Sequence, residues 1–309
     1  MKFAVFGSGG VGAYFGGRLA QAGHDVTFVA RGAHLAAMQE RGLRVESTEG
    51  DFVIERVKAT SDPSSIGPVD VVIVAVKTWQ VADAAAQSAL LLGEDSAALT
   101  LQNGVEAPDE VARVCGRSRV LGGVCRIMSY IAEPGVVRHG SVKPSLSFGT
   151  LDGSSPAVAE SLKAAFDQCQ GLSATRSANI QIELWEKFLF IAPFSAMGAA
   201  TRMPAGAWRQ VEQTRALLAT AMAEVVALAR ARGVVLDDDA VTRTLGFVDR
   251  LHEDATASMQ RDLLDGKPSE LEAQTGAIVR LAAQSGVPVP ANALLYAALL
   301  PGERRARGF

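Results

Sequence analysis

The chain has 309 residues, 48% of them hydrophobic, with 30 basic and 33 acidic side chains and a formal charge of −3. That is enough apolar material for a large core divided between two domains, and so balanced a charge offers no electrostatic footprint for nucleic acid or an anionic membrane. Cys115, Cys125 and Cys169 are scattered, odd in number and lack C-x-x-C spacing, and His24, His34, His139 and His252 show no ligand spacing. Neither a disulfide framework nor a metal site is expected, and the thiols read as small core residues.

The first 32 residues carry the strongest pattern. Phe3 to Phe6 reads as a buried strand, Gly7-Ser8-Gly9-Gly10-Val11-Gly12 follows, a helical pattern runs from Val11 to Ala22, and Val26 to Val29 is a second strand. This is a βαβ start with G-x-G-x-x-G in its turn. Gly7 would make the tight turn, Gly9 would let the backbone approach a pyrophosphate, and Gly12 would let helix and sheet pack closely. The helix N-terminus offers free N–H groups to the phosphates. A plain glycine turn is the alternative, but strand, motif, helix and second strand all fall at the spacing of a dinucleotide site. After the second strand comes Ala30-Arg31-Gly32 with no acid. An acid there would accept from a ribose 2′-OH, whereas Arg31 suits the 2′-phosphate of NADP(H), unless it is only a solvated charge.

Further along, His34 to Arg41 reads as a short helix, and Leu43 to Val45 with Phe52 to Val57 as a hairpin around Glu49-Gly50-Asp51. Val69 to Val76 is a continuous β-branched run of the kind buried on both faces, followed by a helix from Trp79 to Leu91 and a strand from Ala97 to Leu101. Lys77 and Asn103 are the first notable polar residues after two such strands, where ligands of doubly wound sheets sit. Lys77 could contact cofactor phosphate or ribose, and Asn103 could bridge nicotinamide and substrate; a snorkelling lysine and a turn asparagine are the plain alternatives. Strands are expected at Val120 to Tyr130, Val136 to His139, Leu146 to Phe148 and Ser173 to Thr175, with a helix from Ala157 to Cys169.

Beyond Ser177 strand signals stop. Helices read at Ile180 to Ala200, Ala205 to Arg232, Asp237 to Asp254 and Ser269 to Ser285, with a last one after Pro288-Val289-Pro290. The expected fold is therefore α/β, a Rossmann-type doubly wound sheet over residues 1–176 followed by an all-α domain over 177–309 that completes the substrate site. Lys187 lies in the apolar stretch Trp185 to Pro193, where a charged amine is costly unless paired or used. Burial there would make it a general acid, and a lysine snorkelling from a core helix is the alternative. With a strand beginning at residue 2 and no apolar run of membrane length, a cytoplasmic protein is expected.

These residues resemble the ketopantoate reductases (2-dehydropantoate 2-reductase) over nearly the whole chain. The resemblance is carried by Gly7-x-Gly9-x-x-Gly12, Arg31, Val76-Lys77-Thr78-Trp79-Gln80, Gln102-Asn103-Gly104, Leu184-Trp185-Glu186-Lys187, and Ser258-Met259 with Asp262 and Glu270 downstream. It implies reduction of 2-dehydropantoate to (R)-pantoate by NADPH in pantothenate biosynthesis, without a metal. Lys187 matches the proton donor, Asn103, Ser195 and Ser258 fall at substrate-contacting positions, and Glu270 matches an acid near the cofactor that orients the lysine or the ribose. Asparagines that the family places beyond the lysine fall here at Ile191, Ser195 and Ala205. An apolar wall would suit a bulkier or more apolar 2-oxo acid. Reduction of another ketone or imine, and an NADP(H)-binding regulator without turnover, are the competing functions. The apolar helical half is compatible with a homodimer.

Overall fold

The computed structural model describes residues 1–140, 142–154 and 156–309. The chain begins β1 (Lys2–Phe6), α1 (Gly10–Gln21), β2 (Asp25–Val29), α2 (Gly32–Arg41), β3 (Leu43–Ser47), β4 (Phe52–Ile54), β5 (Lys58–Thr60), β6 (Val69–Val74), α3 (Val81–Ala89) and β7 (Leu92–Thr100). It continues with α4 (Ala107–Cys115), β8 (Val120–Arg126), β9 (Ser129–Glu133), β10 (Val136–His139), β11 (Ser145–Thr150), α5 (Ala157–Asp167) and β12 (Ser173–Arg176). The remaining described elements are helices: α6 (Ile180–Thr201), α7 (Ala205–Arg209), α8 (Glu212–Ala231), α9 (Ala240–Asp249), α10 (Ser258–Leu264), α11 (Thr275–Ser285) and α12 (Pro290–Ala306).

One compact unit comprises Met1–Gln102 and Ala107–Ile180, the other Asn103–Glu106 and Gln181–Phe309. The short Asn103–Glu106 segment therefore belongs with the helical half, whereas the sequence places it in the first domain. Arg280 accounts for this by donating to Glu106 (2.6 Å) from α11.

The first unit is built on an eight-stranded sheet of order β12-β11-β8-β7-β6-β1-β2-β5. β1 pairs in parallel with β2 on one side and β6 on the other, so the strand order reverses at β1. Phe3 to Phe6 and Val71 to Val74 are buried throughout because α1 and α5 lie on one face and α3 on the other, which is why these strands read as unbroken apolar runs. A smaller sheet, β4-β3-β10-β9, sits against α1. Arg18, almost fully buried on α1, holds its hairpin turn by donating to the carbonyls of Gly50 (2.8 Å) and Glu49 (3.2 Å) and by stacking on the Phe52 ring.

Several boundaries differ from the sequence reading. The stretch Val120 to Tyr130 is two strands, β8 in the large sheet and the start of β9 in the small one. The helix expected over Ala205 to Arg232 breaks at Val211, whose backbone is extended, into α7 and α8. The helix expected from Ser269 begins only at Thr275, because the Ser269 N–H and hydroxyl both donate to Glu303 (3.0 and 2.6 Å), fixing that turn outside the helix. β5, α4 and α10 carry too few periodic positions to be read in advance.

In the second unit, buried Glu224 on α8 accepts from the N–H groups of Ala291 (2.8 Å) and Asn292 (3.0 Å) and from the Asn292 side chain (2.7 Å). It caps the N-terminus of α12 from outside that helix, satisfying donors that otherwise have no acceptor. Glu224→Ala is expected to cost about 1–3 kcal/mol, read as a lower denaturation midpoint; an unchanged midpoint would show that water replaces the carboxylate freely.

The three cysteines are buried and free. Burial pushes the Cys169 thiol up to about 12 and raises Cys115 as well, and a thiol, unlike a thiolate, is a poor nucleophile. Native protein at pH 8 is expected to leave all three thiols unmodified by an aromatic disulfide reagent, and unfolded protein to yield three per chain. Rapid labelling of the native chain would contradict this. No helix among the described residues is long and apolar enough to cross a membrane.

Candidate active site

The glycine segment lies where the strand order of the large sheet reverses, after β1. Gly7 has φ +89°, a conformation that L side chains rarely adopt, and a Cβ there would come within 2.5 Å of the Val76 backbone nitrogen. A Cβ on Gly12 would strike the Gly7 carbonyl oxygen and approach Ala75 Cβ (3.0 Å). The first intrahelical bond of α1 runs from the Ala13 N–H to the Gly9 carbonyl (2.9 Å), leaving the amides of Gly10, Val11 and Gly12 without an intrahelical acceptor. Nothing lies within 4 Å of a Cβ built on Gly9, and α1 has no acid in its first turn. The segment thus presents amide donors at a helix N-terminus beside an open glycine, the features that suit an anion.

One side-chain hydrogen bond ties that segment to its neighbour. The Ser8 hydroxyl donates to the Val29 carbonyl (3.0 Å), fixing the glycine loop against the end of β2. Arg31 follows as the N-cap of α2, exposed, with no ion-pair partner among the described residues. At the end of β6, Lys77 is exposed and its Nζ lies 5.8 Å from the Trp79 ring centroid. Gln102, buried at the end of β7, donates through Nε2 to the carbonyls of Val74 (3.0 Å) and Val76 (3.1 Å), which sets the path of the Val76–Lys77 loop.

In the second unit α6 carries Lys187. Leu184, Trp185, Phe188, Leu189 and Ala192 around it are buried, and Lys187 itself is half-buried. Ile191, one turn on, is likewise half-buried, whereas Ser195, two turns on, has no exposed surface and its Oγ has no partner among the described residues. Ser258 opens α10 and is half-buried; Glu270 is buried in the turn before α11. The Asn103–Gly104 turn meets that same segment: Gly104 has φ +104°, and a Cβ there would lie 2.8 Å from the Ala273 carbonyl oxygen. Ala205 is fully buried, and its N–H donates to the Ala255 carbonyl (3.0 Å).

The family model described as Ketopantoate reductase PanE/ApbA matches residues 3–153, and its C-terminal companion, Ketopantoate reductase PanE/ApbA C terminal, matches residues 179–303. The chain belongs to the ketopantoate reductase family. A 2-dehydropantoate 2-reductase of Mesorhizobium japonicum is 32% identical over 315 residues, covering 94% of each chain. The crystal structure of a PanE/ApbA family ketopantoate reductase from Ralstonia eutropha JMP134 has a TM-score of 0.90 at 33% identity, covering 99% of this chain and all of that one. A D-mandelate dehydrogenase solved with NADH and anilino(oxo)acetate shares the fold, with a TM-score of 0.89 at 21% identity.

In this ketopantoate reductase family member the residues singled out from sequence divide by unit. Gly7 to Gly12, Arg31 and Lys77 are in the first; Asn103, Lys187, Ser195, Ser258 and Glu270 are in the second. Gln102 is quoted in the Gln102-Asn103-Gly104 motif but without its bonds to Val74 and Val76, and the hydrogen bonds of Ala255 and His34 have no counterpart in the sequence reading. His34 accepts from the Gly135 N–H through Nδ1 (3.1 Å), and burial lowers its pKa, which favours the neutral ring that this acceptor role requires. No local pattern in the sequence marks these hydrogen bonds, since each joins residues far apart in the chain.

Proposed function

We propose that the chain reduces a 2-oxo acid to the 2-hydroxy acid with NADPH, with 2-dehydropantoate to (R)-pantoate as the leading reaction. The observation that carries this is Lys187: a half-buried amine among the buried apolar residues of α6, in the same unit as Asn103 and Ser258. The open Gly9 position, the free first-turn amides of α1 and exposed Arg31 support a dinucleotide bearing a 2′-phosphate. Bound there, the nicotinamide supplies a hydride to C2 of the acid.

The residues of the chain supply everything else. The Lys187 ammonium donates a hydrogen bond to the C2 carbonyl oxygen, stabilises the charge that develops on it, and transfers one proton as the C–H bond forms. Its exposure lets it regain that proton from solvent. Asn103 and Ser258 hold the substrate, and Glu270 orients the amine or the cofactor ribose. Ser195 lies too deep to touch a substrate without movement of the helix, so it is left out of this set.

A second reading, another 2-oxo acid, draws on Ile191, Ala205 and Ala255, which offer no side-chain hydrogen bond. Both readings are tested by following NADPH oxidation with 2-dehydropantoate and with 3,3-dimethyl-2-oxobutanoate, which lacks its hydroxyl. A site that hydrogen-bonds the hydroxyl rejects the analogue strongly. Higher kcat/KM on 2-dehydropantoate is the expected result, and preference for the analogue would establish the second reading. Tight NADPH binding with no turnover of any 2-oxo acid would leave a binding protein and overturn both.

A further inference from the structure

Gln260 is 1% exposed, yet it is a polar residue on the short helix that begins with Ser258. Its carboxamide has three neighbours. Nε2 donates to the Met203 carbonyl (2.9 Å), and Oε1 accepts from the Ala257 N–H (3.4 Å). The third is Gly198 on α6, where a Cβ would lie 2.6 Å from the Gln260 Cδ and closer still to Oε1. The carboxamide thus lies directly on the helix that carries Lys187, in a gap that only glycine leaves open. Around it the chain is knitted together: the Ala205 N–H donates to Ala255 (3.0 Å), the Gly206 N–H donates to Glu253 (2.8 Å), and Arg202, at the end of α6, has φ +59°. A non-glycine residue in that region persists only where its surroundings impose it.

Resting on the reading of Ser258 as a substrate contact, we infer that Gln260 is a positioning residue: it sets the height of Ser258 over the Lys187 helix. A glutamine side chain is usually flexible enough to yield to a methyl group. Here yielding would break both hydrogen bonds, so a methyl group on Gly198 must displace the start of α10 or force the amide out. Ser258, two residues before Gln260, would move with it, while the glycine cradle and Arg31 lie in the other unit.

The test is a double-mutant cycle on the full-length enzyme with NADPH and its best 2-oxo acid. Gly198→Ala and Gln260→Ala are each expected to raise the KM for the acid about tenfold, with kcat and the KM for NADPH changed less than about twofold, the pattern of lost binding common to ground and transition states. In Gln260→Ala the carboxamide is gone, so adding Gly198→Ala should raise KM no further, a coupling expected of residues in contact. Thermal melting of each variant separates this from loss of fold, since a merely structural role would lower the melting temperature without splitting the two KM values. Additive effects, or equal changes in both KM values, would overturn the inference while leaving the reductase reading in place. Failure of the wild type to reduce any 2-oxo acid would remove that reading, and this inference with it.

Discussion

Lys187→Ala is expected to lower kcat by about two to four orders of magnitude, the range of a positioned general acid, while the Kd for NADPH stays within about twofold of the wild-type value. The two halves of this expectation have different origins. Lys187 sits on α6 in the helical unit, whereas the glycine cradle and Arg31, to which the proposal gives the phosphates, belong to the sheet unit. Lys187 is half-buried, so alanine also removes some packing, and thermal melting of the variant separates that loss from the loss of turnover. Lys187→Arg should not restore turnover: guanidinium keeps the charge but does not surrender a proton in the accessible pH range. Single-turnover kinetics and NADPH titration check both halves. A Lys187→Ala enzyme with near-normal kcat would take the amine out of the chemistry.

Arg31→Ala carries the second large effect. A charge-assisted bond to phosphate is worth about 1.5–3 kcal/mol, so NADPH affinity should fall by about ten- to a hundredfold or somewhat more. NADH affinity should not change, since NADH has no 2′-phosphate. Arg31→Asp should go further and favour NADH, because a carboxylate accepts from the 2′-OH and repels the phosphate. Stability should be unaffected, as Arg31 is exposed and makes no capping bond to α2. Equal losses for the two cofactors would place the 2′-phosphate elsewhere.

The cradle was legible in the sequence because its causes are local. An apolar run, three glycines and a helix within 22 residues define both the turn and its packing, and Arg31 follows the next strand directly. Where contacts are remote in the chain, legibility fails. Gln102 matters through carbonyls 26 and 28 residues away, and Gln260 through Met203 and Gly198, so neither shows any periodicity. Lys187 reads from its apolar neighbours as a partly buried amine, and it is half-buried in the structure. Ser195 follows Lys187 by two helical turns, and its complete burial depends on what packs over it, which the period does not show. The break between β8 and β9 had no Gly or Pro signal, since Ile127 and Met128 suit a strand as well as their neighbours do. α10 is only seven residues long, too short to show a period.

The most direct measurement is isotope transfer: NADPH carrying deuterium at C4 of the nicotinamide is incubated with the wild-type chain and the 2-oxo acid, and the product is analysed by mass spectrometry and chiral chromatography. The account predicts a 2-hydroxy acid of one configuration with one deuterium at C2 when the transferred face is labelled, formed in step with NADPH loss. Consumption of NADPH without deuterium in the acid from either labelled face, or a racemic product, would contradict direct reduction at a carbonyl held by Lys187.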